Sequence, residues 1–131
     1  MTDTITIPSN ISAEFIAGII DNAHYSAISH WGEFANCSTP YVEGGPYLGE
    51  RIMLGSSTIE VHEKIWDDCD TLCDEPSIKI HLLDRKKIEK ALVLMQQKHP
   101  RHFTDILIEN DDVDTADVLI QLAVFDEVIY G

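Results

Sequence analysis

Four side chains in the middle of the chain have the types that tetrahedral zinc sites use. Cys69 and Cys73 are separated by three residues in an acidic segment, and His62 and His81 lie on the two predicted strands that flank it. If the register of these strands brings the histidines opposite each other, two thiolates and two imidazoles could hold a zinc ion. The cysteine spacing is not the tight two-residue knuckle of many zinc sites. Solvated thiols and ordinary surface histidines are the alternative interpretation.

A second set of residues could supply a nucleophile and its base. His24 and His30, with Tyr25 and Trp31, stand at the predicted end of the first helix, shortly before Cys37. A neighbouring imidazole lowers the pKa of a thiol and so creates a reactive thiolate. The spacing does not select that arrangement, and a partly buried aromatic helix end is the alternative. One hypothesis for the function, based on these two sets of residues, is therefore a small metal- or thiol-dependent enzyme.

The carboxylates Asp111, Asp112, Asp114 and Asp117 suggest calcium ligands. An EF-hand loop also needs a glycine at its sixth position and a glutamate at its twelfth. This run has neither, so we interpret it as the charged start of a helix. No segment carries a cofactor motif, and we predict neither a cofactor nor a catalytic residue.

Hydrophobic periodicity predicts the elements that position these residues. A short strand or extended arm at 5–7 precedes a helix that begins after Ser12 and runs to about His30. The stretch 32–49 is rich in glycine and proline and is predicted as a loop, with at most a short extended piece near 41–42. Strands are predicted at 51–54, 58–65 and 77–83.

The last predicted strand alternates between apolar and polar residues. Ile78, Ile80 and Leu82 form its apolar face, with a lysine and a histidine on the other face. The segment 66–76 before it contains five carboxylates that a protein core would not accept. We predict that this segment is an exposed hairpin tip.

The remaining residues predict helices. Asp84 caps a helix that holds most of the positive charge, Pro100 fits the first turn of a short helix, and the final helix starts at Asp114 or Thr115. A closing strand is predicted at 128–130. A helix, then strands, then several helices indicates one α+β domain over residues 1–131, in which three to four helices pack on one face of an antiparallel sheet of about three strands.

The charge of the chain restricts its partners. It has 23 acidic and 9 basic residues, for a formal net charge of -14. Such a charge repels nucleic acid and anionic membranes and favours basic partners in a salt-dependent way, although it could serve solubility alone. Three cysteines and the absence of a secretory signal predict a reducing cytoplasm. No apolar run has the length of a membrane helix.

The closing run from Asp114 to Gly131 resembles the end of small acidic proteins encoded by bacteriophages and prophages. In those proteins a pattern like Asp-x-x-Ala-Asp, then Gln-x-Ala-x-Phe-Gly-Glu, then Tyr-Gly closes the chain. The residues that carry the resemblance are Ala116-Asp117, Gln121 to Phe125 and Tyr130-Gly131. Asp126 stands where the family has glycine, so an aspartate would have to adopt a left-handed helix end. The family's biochemistry is unknown, and the resemblance implies a phage-derived cytoplasmic protein.

Carboxylates spaced along a hairpin and a helix can present negative charge somewhat as a nucleic-acid backbone does. The leading hypothesis is therefore a phage accessory protein that binds and inhibits a basic, nucleic-acid-binding host defence protein, of anti-CRISPR or anti-restriction type, without contacting nucleic acid itself. A structural or assembly factor that self-associates through its apolar C-terminal stripe is a third hypothesis. The predicted partner-binding residues are Trp66, Asp67, Asp68, Asp70, Asp74, Glu75, Asp111, Asp112 and Asp114.

Overall fold

A three-stranded antiparallel sheet with helices on one face organises the chain, in a computed structural model that describes residues 12–40, 42–55, 57–66, 76–110 and 112–130. The strands are β1 (Gly32–Ala35), β2 (Ile59–Ile65) and β3 (Ser77–Leu83), in that order across the sheet. The helices are α1 (Ala13–Asn22), which a π-helical turn (Ala23–Ala27) continues, α2 (Leu48–Met53), α3 (Arg85–Lys98), α4 (Pro100–Leu107) and α5 (Val113–Phe125). The predicted α+β fold class is confirmed.

Three helices begin at side-chain caps. Ser12, Asp84 and Asp112 each accept the backbone N–H of the third residue of α1, α3 and α5, at 2.9–3.0 Å. These bonds satisfy donors that the helix itself leaves unpaired. The first two caps and Pro100 at the start of α4 are confirmed predictions. The last helix begins one or two residues earlier than predicted, because Asp112 caps it.

The core lies between the covered face of the sheet and the helices. Val61, on the central strand β2, is fully buried. α1 packs against α2, and α3 packs against α5. The largest fully buried side chains are Trp31, Ile16, Ile19, Ile20, Ile28, Ile52, Leu83, Ile88, Leu92, Met95, Ile106 and Leu119. In the described part of the chain, no helix is both long and apolar enough to cross a membrane.

Two predictions for the stretch 32–54 are wrong. The predicted strand at 51–54 lies mostly in α2, whose Leu48, Ile52 and Met53 are buried; a four-residue apolar run does not reveal that helical spacing. The predicted loop contains β1. It begins at Gly32, where a Cβ atom would lie 2.8 Å from the carbonyl oxygen of His62, so this close approach to β2 requires glycine. Val42 lies outside any strand, and residue 41 is outside the described ranges.

β3 has its predicted bounds, but its apolar face is exposed and its other face is turned to the core. Ile78, Ile80 and Leu82, which we call the β3 stripe, are 47%, 56% and 54% exposed. The ladder pairs buried Val61 with His81, so the alternate residues of β3 face the helices. Alternation shows which residues share a face, but the burial of β2 decides which face is covered.

The C-terminal residues run beside α5 without forming the predicted strand at 128–130. The buried Gln121 side chain holds them: its Oε1 accepts the N–H groups of Ile129 and Tyr130 at 2.9 Å, and its Nε2 donates to the Tyr130 carbonyl at 3.0 Å. One amide therefore satisfies backbone groups that a neighbouring strand would otherwise pair.

Asp126 ends α5 in the left-handed conformation, with φ 64°, as its place in the closing pattern predicts. Lys90 of α3 forms an ion pair with its carboxylate, and Lys98 Nζ donates to its backbone carbonyl at 3.4 Å. Both cations lie at the helix end where the dipole favours positive charge. Leu119 and Leu122, members of the apolar C-terminal stripe, are fully buried, whereas Ile129 near its end is 49% exposed. Self-association through this stripe stays a prediction.

Candidate partner-binding surface

Six of the predicted acidic contact residues lie outside the described part of the chain, and their role as a contact surface stays a prediction. They are Asp67, Asp68, Asp70, Asp74, Glu75 and Asp111. Trp66 directly follows β2 and is 59% exposed. A large exposed aromatic side chain is a common anchor at protein interfaces.

The two described carboxylates at the start of α5 differ in their roles. Asp112 Oδ1 accepts the Thr115 N–H at 2.9 Å and the Thr115 hydroxyl at 3.1 Å. The backbone bond from Thr115 is the main reason that the pKa of Asp112 is below its usual value. Asp114 is exposed in the first turn of the helix. Asp112 therefore serves the fold directly, whereas Asp114 is open to a partner.

The sheet separates the histidines of the predicted zinc set. His62 pairs with Ile80 and His81 pairs with Val61, so the two rings project from opposite faces. The strand register that the zinc interpretation requires is therefore not the one that the sheet has. Cys69 and Cys73 lie outside the described residues. Among the residues that are described, no three His, Cys, Asp or Glu side chains are grouped closely enough for metal ligation.

The predicted thiol set is also arranged differently. The cation beside Cys37 is Arg51, whose Nη2 donates to the thiol sulfur at 3.7 Å. Burial raises the pKa of Cys37, but hydrogen bonds from Thr39 and Arg51 outweigh burial and lower it. His30 instead lies 3.4 Å from an Asp117 carboxylate oxygen, and His24 stacks on Phe34. The thiol is therefore paired with a guanidinium, and not with the imidazole that the nucleophile interpretation requires.

A buried carboxylate on β2 joins the sheet to the C-terminal residues. Glu63 is 6% exposed, accepts a hydrogen bond from the Tyr130 hydroxyl, and lies 2.9 Å from His81 Nε2. Burial alone raises the pKa of Glu63, but the hydrogen bonds from Tyr130 and His81 give a net lowering. Burial and this carboxylate raise the pKa of Tyr130 to about 12. The sequence signal for this cluster is a glutamate on the otherwise apolar face of β2.

An aromatic layer continues this cluster. The Trp31 ring stacks on Tyr130 with centroids 5.5 Å apart, and Trp31 Nε1 donates to Asp117 at 2.7 Å. Phe125 contacts Trp31, Tyr130 and the edge of the His81 ring. Asp117, Phe125 and Tyr130 thus hold the C-terminal residues, α5 and Trp31 together.

A groove between α1 and α2 gathers acidic residues that sequence analysis did not select. The two helices meet where Gly49 packs against the Ala17 carbonyl, with no room for a Cβ atom on Gly49. Asp21 Oδ1 accepts the Gly49 N–H at 2.8 Å and fixes the crossing. The signal in the sequence is that Glu14, Ala17, Gly18 and Asp21 recur at spacings that place them on one helix face.

We call this feature the acidic groove. It consists of two adjoining cavities of about 290 and 210 Å³, which share Glu14, Ala17 and Glu50 in their walls. Asp21 and Tyr47 line the larger cavity, whereas Leu54 and Arg85 line the smaller one. Tyr47 and Leu54 are 63% and 67% exposed.

The acidic groove has the chemistry of a surface for basic side chains. Three carboxylates, from Glu14, Asp21 and Glu50, line it, and a lysine or arginine can place its cation near them while its methylene groups contact apolar side chains. Tyr47 adds an aromatic face that can contact a cation. Comparisons of the chain with protein-family models, with curated proteins and with solved structures found no match.

Proposed function

We propose that this chain is a phage-encoded inhibitor that occupies the nucleic-acid-binding surface of a basic host defence protein. The acidic groove carries the proposal, because Glu14, Asp21 and Glu50 line it together with the exposed side chains of Tyr47 and Leu54. Basic surfaces that bind nucleic acid present lysine and arginine at close spacing. Such side chains are suited to this groove.

The positions of the carboxylates suit binding with little reorganisation. Glu14 and Asp21 belong to α1 and Glu50 belongs to α2, so two helices packed against each other position all three carboxylates. Preorganised groups lose less conformational entropy on binding than groups on mobile loops. The net charge of -14 adds long-range attraction to a basic partner, which speeds association and makes it salt-dependent.

Trp66 and the acidic residues that follow it form the second part of the proposed contact surface. Trp66 is exposed at the end of β2. The next nine positions, 67–75, contain five carboxylates and no lysine or arginine. An aromatic anchor beside negative charge suits a partner that has an apolar pocket within a basic surface.

Affinity capture from bacterial lysate at low and high salt tests the proposal. Three tagged proteins are compared: the wild type, the double variant Glu14→Lys/Glu50→Lys, and the control Glu33→Lys/Glu127→Lys. The control changes exposed carboxylates outside the groove and gives the same net charge. We expect the wild type and the control to retain a nucleic-acid-binding complex that high salt releases, and the groove variant to lose it.

Each failure of this experiment has a separate meaning. Equal retention by all three proteins would show that the acidic groove is not the contact surface. Retention of partners that do not bind nucleic acid, unaffected by salt, would contradict the inhibitor proposal itself. Circular dichroism of each variant shows whether its fold is intact.

A further inference from the structure

Another cavity lies between the start of α3 and the segment that leads into β2. Its volume of about 300 Å³ is at the lower end of the range for small-molecule sites. Among the described residues, it shares only Arg85 with the acidic groove. Two hydroxyl side chains, two carboxylates and two cations line it, from Ser57, Thr58, Asp84, Glu89, Arg85 and Lys86.

The Glu89 carboxylate is the most buried charged group of this wall. Glu89 is 4% exposed, and its cation partner is Arg85, whose Nε lies 3.5 Å from Glu89 Oε2. A charge-assisted hydrogen bond is about 2.7–2.9 Å long, so this contact is a loose one. Within the described part of the chain, no donor forms a hydrogen bond with either Glu89 oxygen. A buried carboxylate that lines a cavity therefore keeps most of its capacity to accept hydrogen bonds.

The two cations of the wall leave this capacity unused. Arg85 Nη1 donates to the Met53 carbonyl at 2.6 Å, at the end of α2. This bond holds the guanidinium at the border between the cavity and the acidic groove. Lys86 is exposed, so its ammonium group can stay in water. The Glu89 carboxylate is thus open to a cation that a ligand brings.

An ammonium group suits the acceptors of the cavity. Its three N–H donors can reach several oxygens at once. Asp84 uses Oδ1 to accept the Lys87 N–H at 3.0 Å and has a second carboxylate oxygen, and the Thr58 hydroxyl can also accept. An anionic group would instead meet the two carboxylates of Asp84 and Glu89. The volume limits the ligand to a small molecule.

We propose that this cavity binds a small molecule through a primary ammonium group, with the Glu89 carboxylate as its buried counter-ion. Asp84 and the Thr58 hydroxyl are the further acceptors. The ammonium group can belong to a simple amine or to an α-amino acid, whose own carboxylate would lie toward Lys86. This site goes beyond the proposed function, because the acidic groove is a separate surface.

An NMR titration of isotope-labelled protein at constant ionic strength tests the site with three probes: ethanolamine, alanine and acetate. We expect at least one of the two amines to shift the amide signals of Ser57, Thr58 and the first turn of α3, with saturation at millimolar concentration. Saturation by both amines would assign a site for the ammonium group alone, and saturation by alanine alone would assign an amino-acid site. Acetate should give no saturable shift. No saturation with either amine, or equal saturation with acetate, would overturn the proposal.

Two variants test the role of the cavity wall. Glu89→Gln keeps the size of the side chain and removes its charge, so the dissociation constant should rise by about tenfold or more. Glu33→Gln, which changes an exposed carboxylate outside the cavity, should bind as the wild type does. Thr58→Tyr leaves Glu89 in place and puts a ring into the cavity, and it should abolish binding even if Glu89→Gln does not fold. Unchanged binding by a folded Thr58→Tyr or Glu89→Gln protein would contradict the assigned site.

Discussion

The Tyr130 hydroxyl donates a hydrogen bond to the Glu63 carboxylate, between residues 67 positions apart in the sequence. This bond connects the C-terminal residues to the central strand of the sheet. The Glu63 carboxylate is buried, so the hydrogen bonds with Tyr130 and with His81, whose Nε2 lies 2.9 Å away, replace the contacts with water that its charge has lost. A buried acceptor that loses a donor retains the cost of desolvation. This contact should therefore contribute more to stability than an ordinary surface bond.

Replacing Tyr130 by phenylalanine should destabilise the fold. Tyr130→Phe keeps the ring stacked on Trp31 but removes the donor to Glu63. We expect the free energy of unfolding to fall by about 1–3 kcal/mol, the range for a buried charged acceptor that loses a partner. Urea denaturation measures the change. A free energy of unfolding equal to that of the wild type would contradict the role of the bond.

The same cluster predicts how stability depends on pH. The pKa of Glu63 is lowered in the folded protein, so its contribution is present above the usual glutamate value of about 4.3 and is lost as pH falls through the folded pKa. The pKa of Tyr130 is raised to about 12, so its contribution is present below the usual tyrosine value and is lost as pH rises toward 12. The stability difference between the wild type and Tyr130→Phe should decrease between pH about 10 and 12. A constant difference in urea denaturation over that range would contradict the raised pKa.

The crossing of α1 and α2 predicts opposite effects for two glycine substitutions. Gly49→Ala places a Cβ atom against the Ala17 carbonyl and should cost about 1–3 kcal/mol through overpacking. Gly18→Ala, with nothing within 4 Å of its Cβ position on α1, should be neutral or should stabilise the helix by roughly 0.5–1 kcal/mol. Thermal unfolding measures both. A stable Gly49→Ala protein would contradict the close approach that builds the acidic groove.

The left-handed end of α5 can be isolated by comparing two variants. Asp126→Gly and Asp126→Ala both remove the carboxylate that pairs with Lys90. They differ in the cost of positive φ, which glycine avoids and alanine does not. The glycine variant should therefore be more stable than the alanine variant by about 1–2 kcal/mol. Equal urea midpoints for the two variants would contradict the assigned backbone conformation.

Local signals in the sequence predicted much of the fold. Ser12, Asp84 and Pro100 mark helix starts because capping and proline geometry depend on neighbouring residues only. The bounds of β3 follow from its alternation. Its covered face did not follow, since that depends on pairing with Val61 on another strand.

The candidate site was harder to predict, because it depends on contacts between distant elements. The acidic groove needs α2 beside α1, and the sequence suggested a strand around Ile52. Glu63 has its partners 18 and 67 positions away, so spacing could not identify them. Acidic composition indicated a basic partner, and the arrangement of Glu14, Asp21 and Glu50 became visible only once the two helices were packed together.

Competition for nucleic acid tests the inhibitor proposal most directly. The partner retained in affinity capture is loaded with labelled nucleic acid, and fluorescence anisotropy is followed as the wild type or Glu14→Lys/Glu50→Lys is added. The account predicts that the wild type releases the nucleic acid at about one equivalent, that added salt weakens this release, and that the variant releases little at the same concentration. A ternary complex that keeps its nucleic acid at saturating wild-type protein would contradict the account.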